Sequence, residues 1–188
     1  MKQKLLCSVL SAALVCGVFP AAVMAAEPTY TLTHTLDFRN QDTDISDNGW
    51  DWDAEDRILT LDNFSYSIPA GAIEKAPIFY LPDDSYVYID GEDNVIENHS
   101  YHCDVFYCEG DVNFYGDGEL KMKIDNYGSS AFFVKQGPIL FYDEVKITVE
   151  STGYIIYLEN AKGNKPVISV KNDAKVLFKE EDHKNRNI

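Results

Sequence analysis

The chain has 188 residues, of which 31 are acidic and 16 basic, and its formal net charge at pH 7 is −15. This excess of carboxylates repels nucleic acid and anionic membranes, because binding to either requires basic patches. Anionic polysaccharides would also be repelled unless a cation bridged them to the chain. The length suits one domain, and an apolar content of 45% can build a core.

The first 26 residues have the layout of a secretory signal peptide. Lys2 and Lys4 precede an apolar run from Leu5 to Phe19, and small residues follow this run. The run is shorter than the roughly 20 residues that a membrane-spanning helix needs. We therefore expect residues 1–26 to be removed and the mature chain to be secreted without membrane insertion. Since the peptide carries two of the 16 basic residues and no acidic one, the mature net charge would be −17.

Residues 27–56 are predicted to form an N-terminal cap and entry region. Residues 29–38 alternate between apolar and polar side chains, as a strand does. Trp50 and Trp52 then bracket Asp51. They could fold across the end of a core, or form an exposed pair that stacks on a sugar. The ends of a repeat protein need a cover, which favours the structural interpretation.

An imperfect repeat runs through residues 57–179, with similar segments beginning at Ala76, Asp104, Ser130 and Tyr154. Two apolar columns recur at spacings of 25, 27 and 29 residues; they are Val87, Val112, Ile139 and Ile168, and then Ile89, Phe114, Phe141 and Val170. Three short strands per repeat predict an all-β fold, a short right-handed parallel β-helix (β-solenoid) of about five coils with an N-terminal cap. An antiparallel sandwich is the competing fold. Residues 180–188 are predicted to be a charged C-terminal tail.

Acidic side chains cluster at the predicted corners between strands. They are Glu92, Asp93, Asp117, Glu119, Asp143 and Glu144. Ca²⁺ prefers oxygen ligands, so these carboxylates could gather calcium. The favoured interpretation is a solvated acidic rim that keeps the rod soluble, with no cofactor.

Two cysteines, Cys103 and Cys108, belong to the mature chain. An exported protein meets oxidising conditions, so the two could form a disulfide. Alternatively they are buried thiols that act as small hydrophobic side chains. A metal site that adds His99 and His102 lacks the paired short spacings of structural zinc sites.

The sequence predicts no catalytic site. Parallel β-helices include pectin-cleaving lyases, which need a basic residue to abstract a proton, but no arginine lies in the alternating core repeats. Asp83, Asp84 and Asp90 are the type of residue that hydrolases use in pairs. However, Pro82–Ser85 has the composition of an ordinary turn.

The predicted ligand site is an outward face of the coils, made by Tyr88, Asp90, Asn113, Tyr115 and Tyr142. Tyr115 and Tyr142 would lie one coil apart, about 4.8 Å, with Asp90 in the same column. A tyrosine offers an apolar ring and a hydroxyl group to a sugar, and little positive charge favours a neutral glycan over a uronate. The alternatives are a structural or adhesive protein that binds another protein, and, less favoured, a relative of polysaccharide lyases or hydrolases. Stacked tyrosines could also simply stabilise the ladder.

The stretch GWDWDAEDRILTLDNF, followed by YVYIDGEDNVIEN and GDVNFYGDGELKMKI, resembles a group of secreted repeat proteins of Gram-positive, often gut, bacteria. Their entry motif, Gly-Trp-x-Trp-Asp-x(5)-Leu-Thr-Leu, is matched by Gly49, Trp50, Trp52, Asp53, Leu59, Thr60 and Leu61. The later coils depart from the family's coil motif at Asp143 and Asn172. The resemblance covers roughly residues 49–178. It implies a β-helix in proteins usually labelled as carbohydrate-binding.

Overall fold

Short alternating runs become short strands in the part of the chain that the structure describes. The computed structural model describes residues 35–71, 76–159 and 168–180. Within these ranges the fold is all-β, and the strands wind into a parallel β-solenoid of about four turns. The same ranges contain no helix long and apolar enough to cross a membrane. The predicted signal peptide and residues 181–188 of the tail lie outside them.

The strands fall into a short N-terminal region followed by successive coils. The N-terminal strands are β1 (Leu36–Asp37), β2 (Ile45–Asp47) and β3 (Trp50–Asp53). Coil 1 has β4 (Ile58–Asp62), β5 (Ser65–Ile68) and β6 (Phe79–Leu81). Coil 2 has β7 (Ser85–Asp90), β8 (Asn94–Asn98) and β9 (Phe106–Cys108). Coil 3 has β10 (Val112–Gly116), β11 (Glu119–Ile124) and β12 (Ser130–Val134). Coil 4 has β13 (Ile139–Phe141), β14 (Lys146–Ser151) and β15 (Tyr154–Leu158), and a fifth coil begins with β16 (Ile168–Val170) and β17 (Lys175–Glu180).

Each coil contributes one strand to each of three sheets. The first sheet has the order β1-β6-β9-β12-β15, and the third has the order β17-β14-β11-β8-β5. The second sheet, β16-β13-β10-β7-β4-β3-β2, is extended by the two antiparallel strands β2 and β3. All pairs between coils are parallel, which confirms the predicted solenoid and excludes the sandwich. The described chain forms four complete coils and two strands of a fifth, where about five coils were predicted.

The core lies between the three sheets and is built from stacked aromatic rings. The ring centroids of Phe79 and Phe106 are 5.0 Å apart, and those of Phe106 and Phe132 are 5.8 Å apart. From the second sheet, Phe114 stacks on Phe141 at 5.4 Å and meets Phe106 edge to face at 5.1 Å. Offset-stacked and edge-to-face pairs are the arrangements that ring quadrupoles favour. The core therefore locks neighbouring coils and neighbouring sheets together.

Both predicted columns are wrong by two residues in the second coil, because Val112 pairs with Ser85 and not with Val87. The repeat alignment placed Ile89 beside Phe114, but the register pairs Phe114 with Val87 and places Gly116 beside Ile89. A slip of two residues leaves every side chain on its predicted face, so alternation alone could not reveal it. The glycine decides the register, because a Cβ at Gly116, where φ is +118°, would overlap the backbone carbonyl of Ile89.

The rest of each column follows the prediction. Val112 pairs with Ile139, which pairs with Ile168 in the next coil. In the first coil Leu59 pairs with Val87, as their spacing of 28 residues predicted.

The two tryptophans cover the N-terminal end of the core. Trp50 and Trp52 lie on β3, and only 8% and 2% of their surfaces are exposed. Phe38 stacks on Trp52 with ring centroids 4.6 Å apart, while the intervening Asp51 is exposed. The structural interpretation of this pair is confirmed, and an exposed sugar-stacking pair at these positions is excluded.

The corner between the first and second sheets depends on aspartate side chains that reach the next coil. The backbone N–H of Asp111 donates to Oδ1 of Asp83 at 2.8 Å. A Cβ built on Gly110 would overlap the carboxyl group of Asp83, and one on Gly137 would overlap that of Asp111. Each aspartate thus occupies the space that a glycine leaves open one coil later.

Both cysteines are buried thiols in this structure. Cys108 faces the core between Leu81 and Val134 of neighbouring coils, and burial raises the pKa of its thiol. The Sγ of Cys103 donates to the carbonyl oxygen of Ala76 at 2.8 Å. The structure therefore agrees with the buried-thiol alternative and not with the disulfide.

Replacing Phe114 with alanine should destabilise the protein strongly. Phe114 is fully buried, and its ring contacts those of Phe106, Phe132 and Phe141. Loss of such a ring from a core costs about 3–5 kcal/mol. The adjacent, outward-facing Asn113→Ala is the control and should change the free energy of unfolding by about 0.5 kcal/mol or less. Urea denaturation of both variants measures the difference, and equal losses would mean that the two faces of β10 are assigned wrongly.

Candidate functional site

Four tyrosines meet on the outward face of the second sheet. We call Tyr86, Tyr88, Tyr115 and Tyr142 the tyrosine patch. Tyr88 pairs with Tyr115 across β7 and β10, and Tyr142 follows directly after β13. The four side chains are half-buried, because each projects from the sheet between the outward side chains of adjacent coils. The patch thus arises from strand stacking and not from a loop.

The rings of the patch contact one another in different orientations. Tyr115 and Tyr142 are nearly parallel, with centroids 5.4 Å apart and an interplanar angle of 8°. Tyr88 lies 5.1 Å from Tyr115 and is tilted by 50°. Tyr86 lies 6.2 Å from Tyr115 at 86°, an edge-to-face contact. Tyr115 is therefore the centre of the patch.

In three residues of the patch, Tyr88, Tyr115 and Tyr142, the hydroxyl groups have raised pKa values and remain protonated to high pH. Burial, and then the neighbouring Tyr115, raise the pKa of Tyr142 to about 12. Burial also raises the pKa of Tyr88, and the carboxylates of Asp117, Asp90 and Asp143 raise it further. Each hydroxyl group can therefore donate and accept a hydrogen bond at neutral pH.

The structure brings the predicted site residues together with one change of neighbour. Tyr88, not Asp90, precedes Tyr115 and Tyr142 in their column, because of the two-residue slip in register. Asp90 is exposed and follows Tyr88 by two residues along the same face, beside Asp62. Asn113 lies in the parallel column between Tyr86 and Leu140. Tyr86, which the sequence reasoning missed, could have been found from its position two residues before Tyr88.

A second outward column of aromatic rings runs along the first sheet. We call Tyr80, Tyr107, Phe133 and Tyr157 the aromatic ladder. Their centroids are separated by 4.4, 4.5 and 4.9 Å in successive coils. The sequence signal was a pair of adjacent apolar residues in each repeat, whose first member faces inward and whose second faces outward.

Most ring faces of the aromatic ladder contact other side chains of the protein. The guanidinium carbon of Arg39 lies 3.4 Å from the centroid of the Tyr80 ring, at the N-terminal end of the ladder. Beside the ladder, Nζ of Lys135 donates to Glu109 at 2.6 Å. Tyr157, at the other end, is exposed and meets Tyr154 edge to face at 5.9 Å. The ladder thus combines aromatic rings with cationic and anionic side chains, whereas carboxylates lie around Tyr88 of the tyrosine patch.

Two of the carboxylates considered as catalytic candidates, Asp83 and Asp90, accept hydrogen bonds from backbone N–H groups. Asp83 accepts hydrogen bonds from the backbone N–H groups of Asp84 and Asp111, so it belongs to a turn, as predicted. Within the described residues, no three acidic, histidine or cysteine side chains come together as metal ligands. The carboxylates predicted at the corners, Glu92, Asp93, Asp117, Glu119, Asp143 and Glu144, all belong to these residues and form no such group.

Basic side chains are concentrated on a different face. The outward positions of the third sheet carry Lys121, Lys123, Lys146, Lys175 and Lys179. Several of them form ion pairs, such as Lys179 with Glu150 at 2.6 Å. The outward columns of the second sheet hold one lysine, Lys171, at the end of the tyrosine column. A ligand at the tyrosine patch therefore meets carboxylates and hydroxyl groups.

Comparison of the chain with protein-family models, with curated proteins and with solved structures finds no match.

Raising the pH should weaken the folded protein through Tyr142. Its pKa is about 12 in the folded state and about 10 in an unfolded chain, so between these values the unfolded state loses the proton first. Stability contributed by this group is therefore complete below about pH 10 and falls as the pH rises towards 12. Thermal melts from pH 9 to 12 should fall more steeply for the wild type than for Tyr142→Phe.

Absorbance titration of tyrosinate provides the control for this assignment. The folded wild type should show one more late ionisation than Tyr142→Phe, since burial also raises the pKa of Tyr107 in both proteins, and the chain in denaturant should show none above the ordinary range. If both folded proteins titrate identically, the environment assigned to Tyr142 is wrong.

Proposed function

We propose that this chain is a secreted, non-enzymatic binding module whose tyrosine patch binds a neutral glycan. The observation that carries the proposal is the meeting of Tyr86, Tyr88, Tyr115 and Tyr142 on one outward face, with ring centroids 5.1–6.2 Å apart. The resemblance of Gly49–Leu61 to the entry motif of secreted repeat proteins supports the same class of function. The layout of residues 1–26 supports secretion.

The chemistry of the patch suits a sugar. Tyr115 and Tyr142 stack on each other, so a ligand meets their ring edges and hydroxyl groups. Tyr86 and Tyr88 are inclined to Tyr115 and offer apolar ring surface to the C–H groups of a sugar. The amide of Asn113 adds a donor and an acceptor beside them. The combination of apolar and hydrogen-bonding surface is what an uncharged carbohydrate requires.

Electrostatics supports a neutral ligand over a uronate. Asp90, Asp117 and Asp143 lie close enough to Tyr88 to raise the pKa of its hydroxyl group. These carboxylates would repel an anionic sugar at short range, whereas they accept hydrogen bonds from sugar hydroxyl groups. The net charge of −15 acts in the same direction at longer range.

A double variant of the patch tests this proposal. Tyr115→Ala/Tyr142→Ala should lose retention on the neutral polysaccharide that the wild type binds, because it removes the central stacked pair. The matched control is Tyr107→Ala/Phe133→Ala, which removes an equally stacked pair from the first sheet, with centroids 4.5 Å apart. A glycan array selects the polysaccharide, affinity electrophoresis measures retention, and circular dichroism checks that both variants are folded.

Each outcome of this comparison has one meaning. Loss in the patch variant alone supports the proposed site. Equal binding by the wild type and the patch variant assigns the glycan elsewhere, and an array on which the wild type retains no neutral glycan removes the proposed function.

A protein partner is the second candidate, and the aromatic ladder favours it. Tyrosine, phenylalanine and arginine are enriched at the centres of protein interfaces, and the ladder combines them with an ion pair between Lys135 and Glu109. Capture of a surface protein by the immobilised wild type, lost in Tyr107→Ala/Phe133→Ala and kept in Tyr115→Ala/Tyr142→Ala, would support this function. Capture that is unaffected by the ladder variant would argue against it.

A further inference from the structure

The core columns of the solenoid become exposed at the last described coil. Ile168, Val170 and Phe178 are 45%, 49% and 37% exposed. Their neighbours in the preceding coil, Ile139, Phe141 and Val149, are 0% exposed. We call this surface, together with the outward-facing Leu177, the open end.

The strands of the open end also have unused hydrogen-bonding edges. Among the described strands, β15, β16 and β17 are each the last of their sheet and pair on one side only. Three such edges around an apolar surface form a template for further β-pairing. A single partner would have to supply edges to three sheets at once to satisfy them all.

The opposite, N-terminal end of the solenoid is covered by a β-hairpin. There β3 runs antiparallel to β4 of the first coil, β2 runs antiparallel to β3, and the indoles of Trp50 and Trp52 on β3 are buried. The region 35–57 carries eight acidic and two basic residues. It therefore offers carboxylates, and little apolar surface, to an approaching molecule.

We propose that two copies of this chain associate end to end through their open ends, related by a two-fold axis perpendicular to the solenoid. A second copy presents three free edges of its own, and the rotation brings one sheet against its own counterpart and the other two sheets against each other. The two-fold rotation reverses strand direction, so the new pairs are antiparallel and the interface is self-complementary. The inward side chains Ile168, Val170 and Phe178 of both copies are buried in one continuous core.

The charge distribution favours this arrangement. Residues 168–180 carry three lysines and two acidic residues, so this is a nearly neutral surface on a strongly acidic protein. Two copies repel each other least when they approach through it. Stacking of an open end on the acidic hairpin end would remove carboxylates from water against apolar side chains, which costs more than the screened repulsion between lysines.

Residues 181–188, which follow β17 in the sequence, read EDHKNRNI and contain one apolar side chain, Ile188. Four large apolar side chains are exposed at the open end. The second copy provides four matching side chains.

Multi-angle light scattering on the secreted chain after size exclusion, at micromolar concentration and below, tests the proposal. The wild type should have twice the monomer mass and dissociate on dilution. Phe178→Glu should raise the dissociation constant about 30-fold or more, since a charge would be placed in the centre of an apolar interface. Leu177→Glu should act in the same direction while leaving the inward columns intact, which guards against a folding defect.

The matched control is Ile45→Glu at the hairpin end, where Ile45 is 37% exposed, the same fraction as Phe178. It should leave the dimer unchanged. A wild type that stays monomeric overturns the proposal. So does an equal effect of Ile45→Glu, or a mass that grows beyond the dimer with concentration, because both indicate head-to-tail stacking.

Discussion

The parallel pairing of each coil with the next is the interaction on which this structure depends. A single coil of three short strands cannot bury its inward side chains, because their upper and lower surfaces stay open. Stacking closes both surfaces at once, and Phe114 shows the result, since it contacts rings of its own coil and of the next one. Stability is therefore shared between neighbours and not held within any coil, as expected for a one-dimensional repeat.

The same pairing creates the surface chemistry. Once the inward side chains fix the register, the outward side chains of successive coils are brought to about one strand spacing. Tyr88, Tyr115 and Tyr142 come from segments 27 residues apart, yet their rings touch. No loop has to be folded into a special conformation to make the patch. The packed core holds the tyrosine patch in place, which would lower the entropy lost by the protein on binding a ligand there.

The sequence was sufficient for the fold class, for the faces of the strands and for most columns. Tryptophans at the boundary of a repeat predicted a cover, and Trp52 is buried there. The register of the second coil could not be predicted from the apolar pattern, because a shift of two residues preserves the alternation. Only the close approach of Gly116 to Ile89 distinguishes the two registers. The aromatic ladder was missed for a related reason. A pair such as Phe106-Tyr107 shows no alternation of polarity, yet the strand places its first ring in the core and its second on the surface.

The corner formed by Asp83, Gly110, Asp111 and Gly137 constrains how such a chain can change over time. The space above each glycine is filled by the carboxyl group of the preceding coil, so the two positions form one unit that crosses a coil boundary. A duplicated coil would fit only if its neighbour carried the complementary half of the corner. Coils of this solenoid are consequently not interchangeable modules. A duplication that lengthens the solenoid must include both the aspartate of one coil and the glycine that it covers in the next coil.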